Sequence, residues 1–270
     1  MTDSRFSSLQ LRVMSACVLA PIAVAALYFG DLYFAAFLGL ASVAMCYEWC
    51  TASLSSRRML FAVVTTVTVL IALFVSYYFS LFQSIMVLIC GAIVMALAGS
   101  LLKQGKDFQW LFLGPICIGL PVVSLLVIRN IPEDGFALAI TLFFVIWATD
   151  IGAYFAGKAI GGPKIAPSIS PNKTWAGLIG GMVAAMITAF CMVYFLINAE
   201  TAPFGIVILG AISAILAQAG DFSESAWKRK FGIKDASNLI PGHGGVLDRL
   251  DGILFVAPGL MALLLFTSGN

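Results

Sequence analysis

The chain has 270 residues, of which 61% are hydrophobic and 10% charged, with a formal net charge of +2 at pH 7. Soluble domains carry roughly 25% charged residues, so a water-facing globule is excluded. Apolar runs of about 15 to 20 residues recur instead, the length that crosses a hydrocarbon core of about 30 Å. The fold class read from this is all-α, a polytopic integral membrane protein; a β-barrel would show alternating segments of about ten residues.

A polar start (1–12) precedes apolar spans predicted at about 13–29, 32–47, 60–79, 84–102, 111–128, 136–156, 178–197, 204–220 and 253–267, nine in all, within a single membrane domain. Arg5 and Arg12 before the first span resemble the start of a signal peptide, but eight further spans follow it, so an uncleaved first helix is expected. The second span is short and ends at Glu48 and Trp49. The six cysteines lie in or beside apolar segments without CxxC spacing, and are read as small hydrophobes. With the N-terminus cytoplasmic, fourteen of the fifteen Lys and Arg residues fall on the inner side and only Arg129 outside. That is the bias of the positive-inside rule. The opposite loops carry Asp31, Glu133, Asp134 and Glu200, and the C-terminus is expected on the far side.

Two polar clusters interrupt the apolar pattern. The first begins at Asp150, in the run TLFFVIWATDIGAYFAG, where an acid needs a partner or a function. Lys158 and Lys164 follow, then Ser168 to Trp175, in which Ser170, Lys173 and Thr174 offer hydroxyls and a cation to a phosphate. A Ser-Pro turn and helix cap before the seventh span is the plainer account of the same residues.

The second cluster, 221–251, holds eleven ionisable side chains, including the only histidine, His243. Asp221 follows an apolar span, while Asp248 and Asp251 precede the last one; at i and i+3 these two would share a face if helical. Acids at a membrane boundary need pairing or coordination. Ion pairs with Arg229, Lys234 or Arg249 are one outcome. The other is that Asp221, Asp248 and Asp251 hold Mg²⁺, a hard cation that takes few protein ligands. Lys228, Arg229, Lys230 and Lys234 would suffice as anchors to anionic headgroups, but Asp235, Ser237 and Asn238 are interleaved with them. Pro241-Gly242-His243-Gly244-Gly245 then sets three glycines around the histidine, which lets backbone N–H groups approach an anion. A simple glycine turn between helices is the alternative.

At these clusters the sequence resembles the phosphatidate cytidylyltransferases, the CDP-diacylglycerol synthases. The resemblance is carried by Ser225-x-x-Lys228-Arg229, Lys234-Asp235 and Pro241-x-His243-Gly244-Gly245-x-x-Asp248-Arg249-x-Asp251. Upstream it is carried by Asp150-x-Gly152-Ala153-Tyr154 and Ser170-Pro171-x-Lys173-Thr174. Trp227 stands where the family has an aliphatic residue or Phe, and Ala176 where it commonly has Glu, so no role of that glutamate carries over. The resemblance implies a helical membrane enzyme that transfers the cytidylyl group of CTP to phosphatidate, giving CDP-diacylglycerol and pyrophosphate. It also implies Mg²⁺, with a second cation left open, a homodimer among membrane lipids, and a metal-holding carboxylate pair that maps to Asp221 and Asp248. No nucleic-acid partner is expected.

On this reading Lys228, Arg229, Lys234 and Arg249 neutralise the triphosphate and the leaving pyrophosphate, with Ser225 and Asp235 in the same motif. His243, Gly244 and Gly245 line a phosphate cradle, and Ser170, Lys173 and Thr174 hold the second anion. A transporter of anions is the rival from another class; against it, the polar residues gather on one side and no inverted repeat is present. A related CTP-using enzyme acting on another lipid stays open, because no single residue specifies the acceptor.

Overall fold

The computed structural model describes residues 8–103, 108–197 and 204–268. Arg5, Lys106, Glu200 and Asn270, on which part of the expected orientation rests, lie outside them. In chain order the elements are α1 (Ser8–Phe29), α2 (Asp31–Ser53), α3 (Arg58–Tyr78), α4 (Leu81–Leu101), α5 (Phe108–Arg129), α6 (Gly135–Ala159), β1 (Lys164–Ala166), β2 (Ser170–Thr174), α7 (Trp175–Leu196), α8 (Phe204–Lys230), α9 (Leu247–Leu250) and α10 (Ile253–Ser268).

Each predicted span meets a helix. Among the described residues seven of these, α2 to α8, are long and apolar enough to cross a membrane, whereas the apolar stretches Val13–Phe29 and Ile253–Thr267 are shorter. Length and composition therefore support seven of the nine spans, in a helical integral membrane protein. Large side chains such as Leu40, Phe82, Leu101 and Phe195 stand exposed on these helices, as surfaces that meet lipid do.

Two segments differ from expectation. The stretch before the seventh span is an antiparallel hairpin, with Lys164 opposite Thr174 and Ala166 opposite Ser170. Helix α8 does not stop at Asp221 but continues to Lys230, so the first ten residues of the polar window are helical.

The contacts group the chain into two compact units, one of Met1–Leu126 with Lys230–Leu250, the other of Val127–Arg229 with Asp251–Asn270. In the first, α2 packs on α1 and α3, and α3 on α4. Two buried helical hydroxyls are satisfied locally, Ser42 by the Leu38 carbonyl at 2.7 Å and Thr65 by that of Phe61 at 2.8 Å, the usual solution where no water reaches the backbone. Ser84 of α4 instead donates to the Ala72 carbonyl of α3 at 2.7 Å.

In the second unit α6 packs closely along α7. A Cβ on Gly152 would stand 2.7 Å from the Gly180 carbonyl oxygen, and one on Gly181 2.9 Å from that of Thr149. Small residues at such a seam let helix backbones approach where lipid supplies no hydrophobic drive. Thr174 ends β2 and caps α7, its hydroxyl accepting from the Gly177 N–H at 3.1 Å. The hairpin is thereby fastened to the helix seam.

Candidate active site

In the second unit the polar end of α8 gathers acids, a hydroxyl and a lysine. Asp221, Glu224, Ser225 and Lys228 recur at helical spacing and so share one side of the helix. Gly220, just before Asp221, has no side chain because a Cβ there would overlap the Asp251 carbonyl oxygen. That contact brings the start of α10 against α8. As a result Asp221, Glu224 and Asp251 each offer a carboxylate oxygen within 4.8 Å of the others. Glu224 is 4% exposed.

Cations and hydroxyls meet these acids from two directions. Lys173, on β2, forms an ion pair with Asp221, and its ammonium lies 4.7 Å from the centre of the Phe222 ring. Ser225 donates to Asp221 Oδ1 at 3.3 Å. Lys228 pairs with Glu224 one helical turn away at 2.6 Å. Burial, followed by the charges of Asp221 and Asp150, pushes the Asp251 carboxyl up to about 7, against the Gly252 N–H and Lys173, which pull it down. Three oxygen donors that crowd one another this strongly are the setting a hard divalent cation relieves.

In the first unit, Asp248 Oδ2 accepts from the N–H groups of Ala236 and Gly245, both at 2.8 Å. Glu48 of α2 accepts from Ser237 Oγ at 2.6 Å and from the N–H groups of Val246 and Leu247 at 2.8 Å. Between these contacts the chain makes a tight turn, the Ile240 N–H donating to the Gly244 carbonyl at 2.8 Å. Gly242 and Gly244 occupy positive φ (76° and 85°) there, which glycine adopts without steric penalty. His243 Nδ1 lies 2.6 Å from Ser15 Oγ of α1, and its carbonyl accepts two bonds from the Arg249 guanidinium at 3.0 and 2.7 Å. Lys234 and Asp235 are exposed.

Several expectations change in detail. Helix α9 is a single turn ending at Leu250, so Asp248 lies within it and Asp251 just beyond it; Asp248 accepts from the Ala236 and Gly245 amides and Asp251 from that of Gly252. The metal-like group among the described residues contains Glu224 beside Asp221 and Asp251. Its signal in the sequence was the i, i+3 spacing from Asp221. Asp221 pairs with Lys173. The Thr174 hydroxyl is engaged in capping, and the Gly245 N–H in holding Asp248. Ser170 lies half-buried in β2, while Arg229 is exposed at the end of α8.

The model for the Cytidylyltransferase family matches residues 10–267. The phosphatidate cytidylyltransferase of Brucella melitensis is 39% identical over 252 residues, covering 93% of this chain and 91% of its own. That of Haemophilus influenzae is 34% identical over 277 residues, 93% of this chain and 96% of its own. That of Bacillus subtilis is 40% identical over 159 residues, 58% of each chain.

Proposed function

The chain belongs to the cytidylyltransferase family, and from that premise we propose how its residues serve the reaction. It transfers the cytidylyl group of CTP to phosphatidate, giving CDP-diacylglycerol for phospholipid synthesis and releasing pyrophosphate. A phosphatidate oxygen attacks the α-phosphorus, and the bond to the β-phosphate oxygen breaks. Phosphate monoesters have a second pKa of about 6, so the nucleophile is already anionic near neutrality and needs no strong base. The barrier is repulsion between two polyanions, which fixed cations and oriented donors lower.

The observation that carries the site assignment is the close approach of Asp221, Glu224 and Asp251. Their oxygen donor set fits Mg²⁺, and these three residues would hold it; when bound, the ion neutralises phosphate oxygens of CTP. Lys173, held beside Asp221 and against Phe222, presents one cation to a phosphate, and Ser225 keeps Asp221 oriented. Lys228, pinned by Glu224, presents a second. In the other unit Lys234, Arg249 and His243 offer donors to phosphate oxygens, on a loop that Asp248 closes through two amides. Ser170, Gly244 and Gly245 support these segments.

We place the N-terminus and the polar window on the cytoplasmic side of the bacterial inner membrane, where CTP is available, on the strength of the lysine and arginine distribution. We also propose a homodimer. Purified protein in detergent, given phosphatidate, Mg²⁺ and CTP labelled on the α-phosphate, should put label in the lipid fraction and release pyrophosphate. Label that stays in the aqueous phase would refute the assignment.

A further inference from the structure

We propose that Glu48, on α2, is a positioning residue for the transfer: its carboxylate sets the loop that carries Lys234, His243 and Arg249 and so governs how CTP is held. This rests on the reading that those three residues meet the phosphates of CTP. Glu48 touches no substrate and acts through the loop.

Glu48 is fully buried, at 0% exposure, and has buried Met45, Cys46, Trp49 and Cys50 around it on the same helix. An acid in that setting is unfavourable unless donors meet its oxygens. All three of its hydrogen bonds come from one segment, 189 to 199 residues further along the chain. Ser237 Oγ and the Val246 N–H meet Oε1, and the Leu247 N–H meets Oε2. Each partner is a donor, the pattern an acceptor-only carboxylate satisfies. Gly245 leaves the room: a Cβ there would stand 2.6 to 2.9 Å from the Glu48 carboxylate.

The fit has a mechanical consequence. The amides that open α9 have no partner within their own turn, and Glu48 supplies one from a different helix. Asp248 ties the loop to itself through Ala236 and Gly245, while Glu48 ties it to α2. Lys234 lies two residues before Ala236, His243 two before Gly245, and Arg249 two after Leu247. From Gly232 to Val246 the segment has no helix and no strand beyond the isolated bridge between Ile240 and Gly244, so these two carboxylates set where its cations stand. A displacement of about 1 Å in such groups lowers turnover by about 100-fold.

The test is Glu48→Gln, which keeps the side chain's size but turns an NH₂ group toward a donor. Turnover, KM for each substrate, equilibrium binding of CTP and the melting temperature are measured on the detergent-purified protein. A KM for CTP raised about tenfold or more, weaker CTP binding and an unchanged KM for phosphatidate are expected. A folded variant with wild-type CTP binding and KM, or with only a smaller active fraction, would overturn the proposal. If Glu48→Gln does not fold, Ser237→Ala decides, since it removes one donor and leaves the carboxylate in place. A KM for CTP raised about fivefold sustains the proposal, and unchanged kinetics overturn it. Wild-type protein that neither transfers label nor binds CTP would instead remove the functional reading on which the proposal rests.

Discussion

Burial and the neighbouring Asp221 hold the Asp251 carboxyl up to about 7, from an ordinary value of 3.8. Across that window the folded protein keeps a proton that the unfolded chain has released. Stability therefore falls as pH rises from about 4 to about 7. Thermal unfolding in EDTA should show this decline in the wild type, and Asp251→Asn should flatten it; equal slopes in the two proteins would contradict the crowding of the three acids. Asp221→Asn removes both a proposed ligand and the partner of Lys173. It should lower label transfer by about 100-fold or more, while the protein still elutes as the same detergent complex. Asp221 and Asp251 are legible in the sequence because acids beside apolar spans demand a reason. Glu224 is less so: at i, i+4 from Lys228 it reads as a routine helical ion pair, and it is one, but the approach of Asp251 gives it a second setting. Asp248 bonds to the Ala236 and Gly245 amides, a setting harder to read from sequence. Its partners are main-chain amides, and backbone donors leave no mark on residue identity.

At the scale of the elements, the site depends on two small joints. Thr174 caps α7 and follows Lys173 directly, so Thr174→Ala should destabilise the protein by about 1 kcal/mol. It should also lower activity beyond what that loss explains, as the hairpin is freed from the helix. Gly220 lets α8 approach Asp251. Gly220→Ala should separate Asp251 from Asp221, and the pH dependence of unfolding in EDTA should weaken with it; an unaltered profile would argue that the helices part without moving the carboxylates. The helices themselves were readable from apolar run length. Their ends were not, because α2 and α8 extend through polar residues whose partners lie far along the chain: Glu48 bonds to Ser237, Val246 and Leu247, and Asp221 pairs with Lys173. The hairpin before α7 was missed because Ser-Pro and glycine-rich sequence reads equally well as a turn.

For the whole molecule, the lysine and arginine bias predicts a cytoplasmic N-terminus and a C-terminus on the opposite side. A reporter fused after Asn270 should be active only in its extracytoplasmic form; a cytoplasmic signal would mean an even number of spans. Motif spacing made the family legible, since it runs through both polar clusters, and the family match covers residues 10–267. The count of spans was legible only in part, because the first and last apolar stretches are shorter than the seven helices between α1 and α9. The central claim is that Asp221, Glu224 and Asp251 together hold the Mg²⁺ proposed for the reaction. It is tested most directly by titrating Mg²⁺ in the label-transfer assay for the wild type and for Glu224→Gln, the member of the cluster that only the fold identified. The account predicts that the variant needs about tenfold more Mg²⁺ or higher to reach half its maximal rate. The same midpoint in both proteins would contradict it.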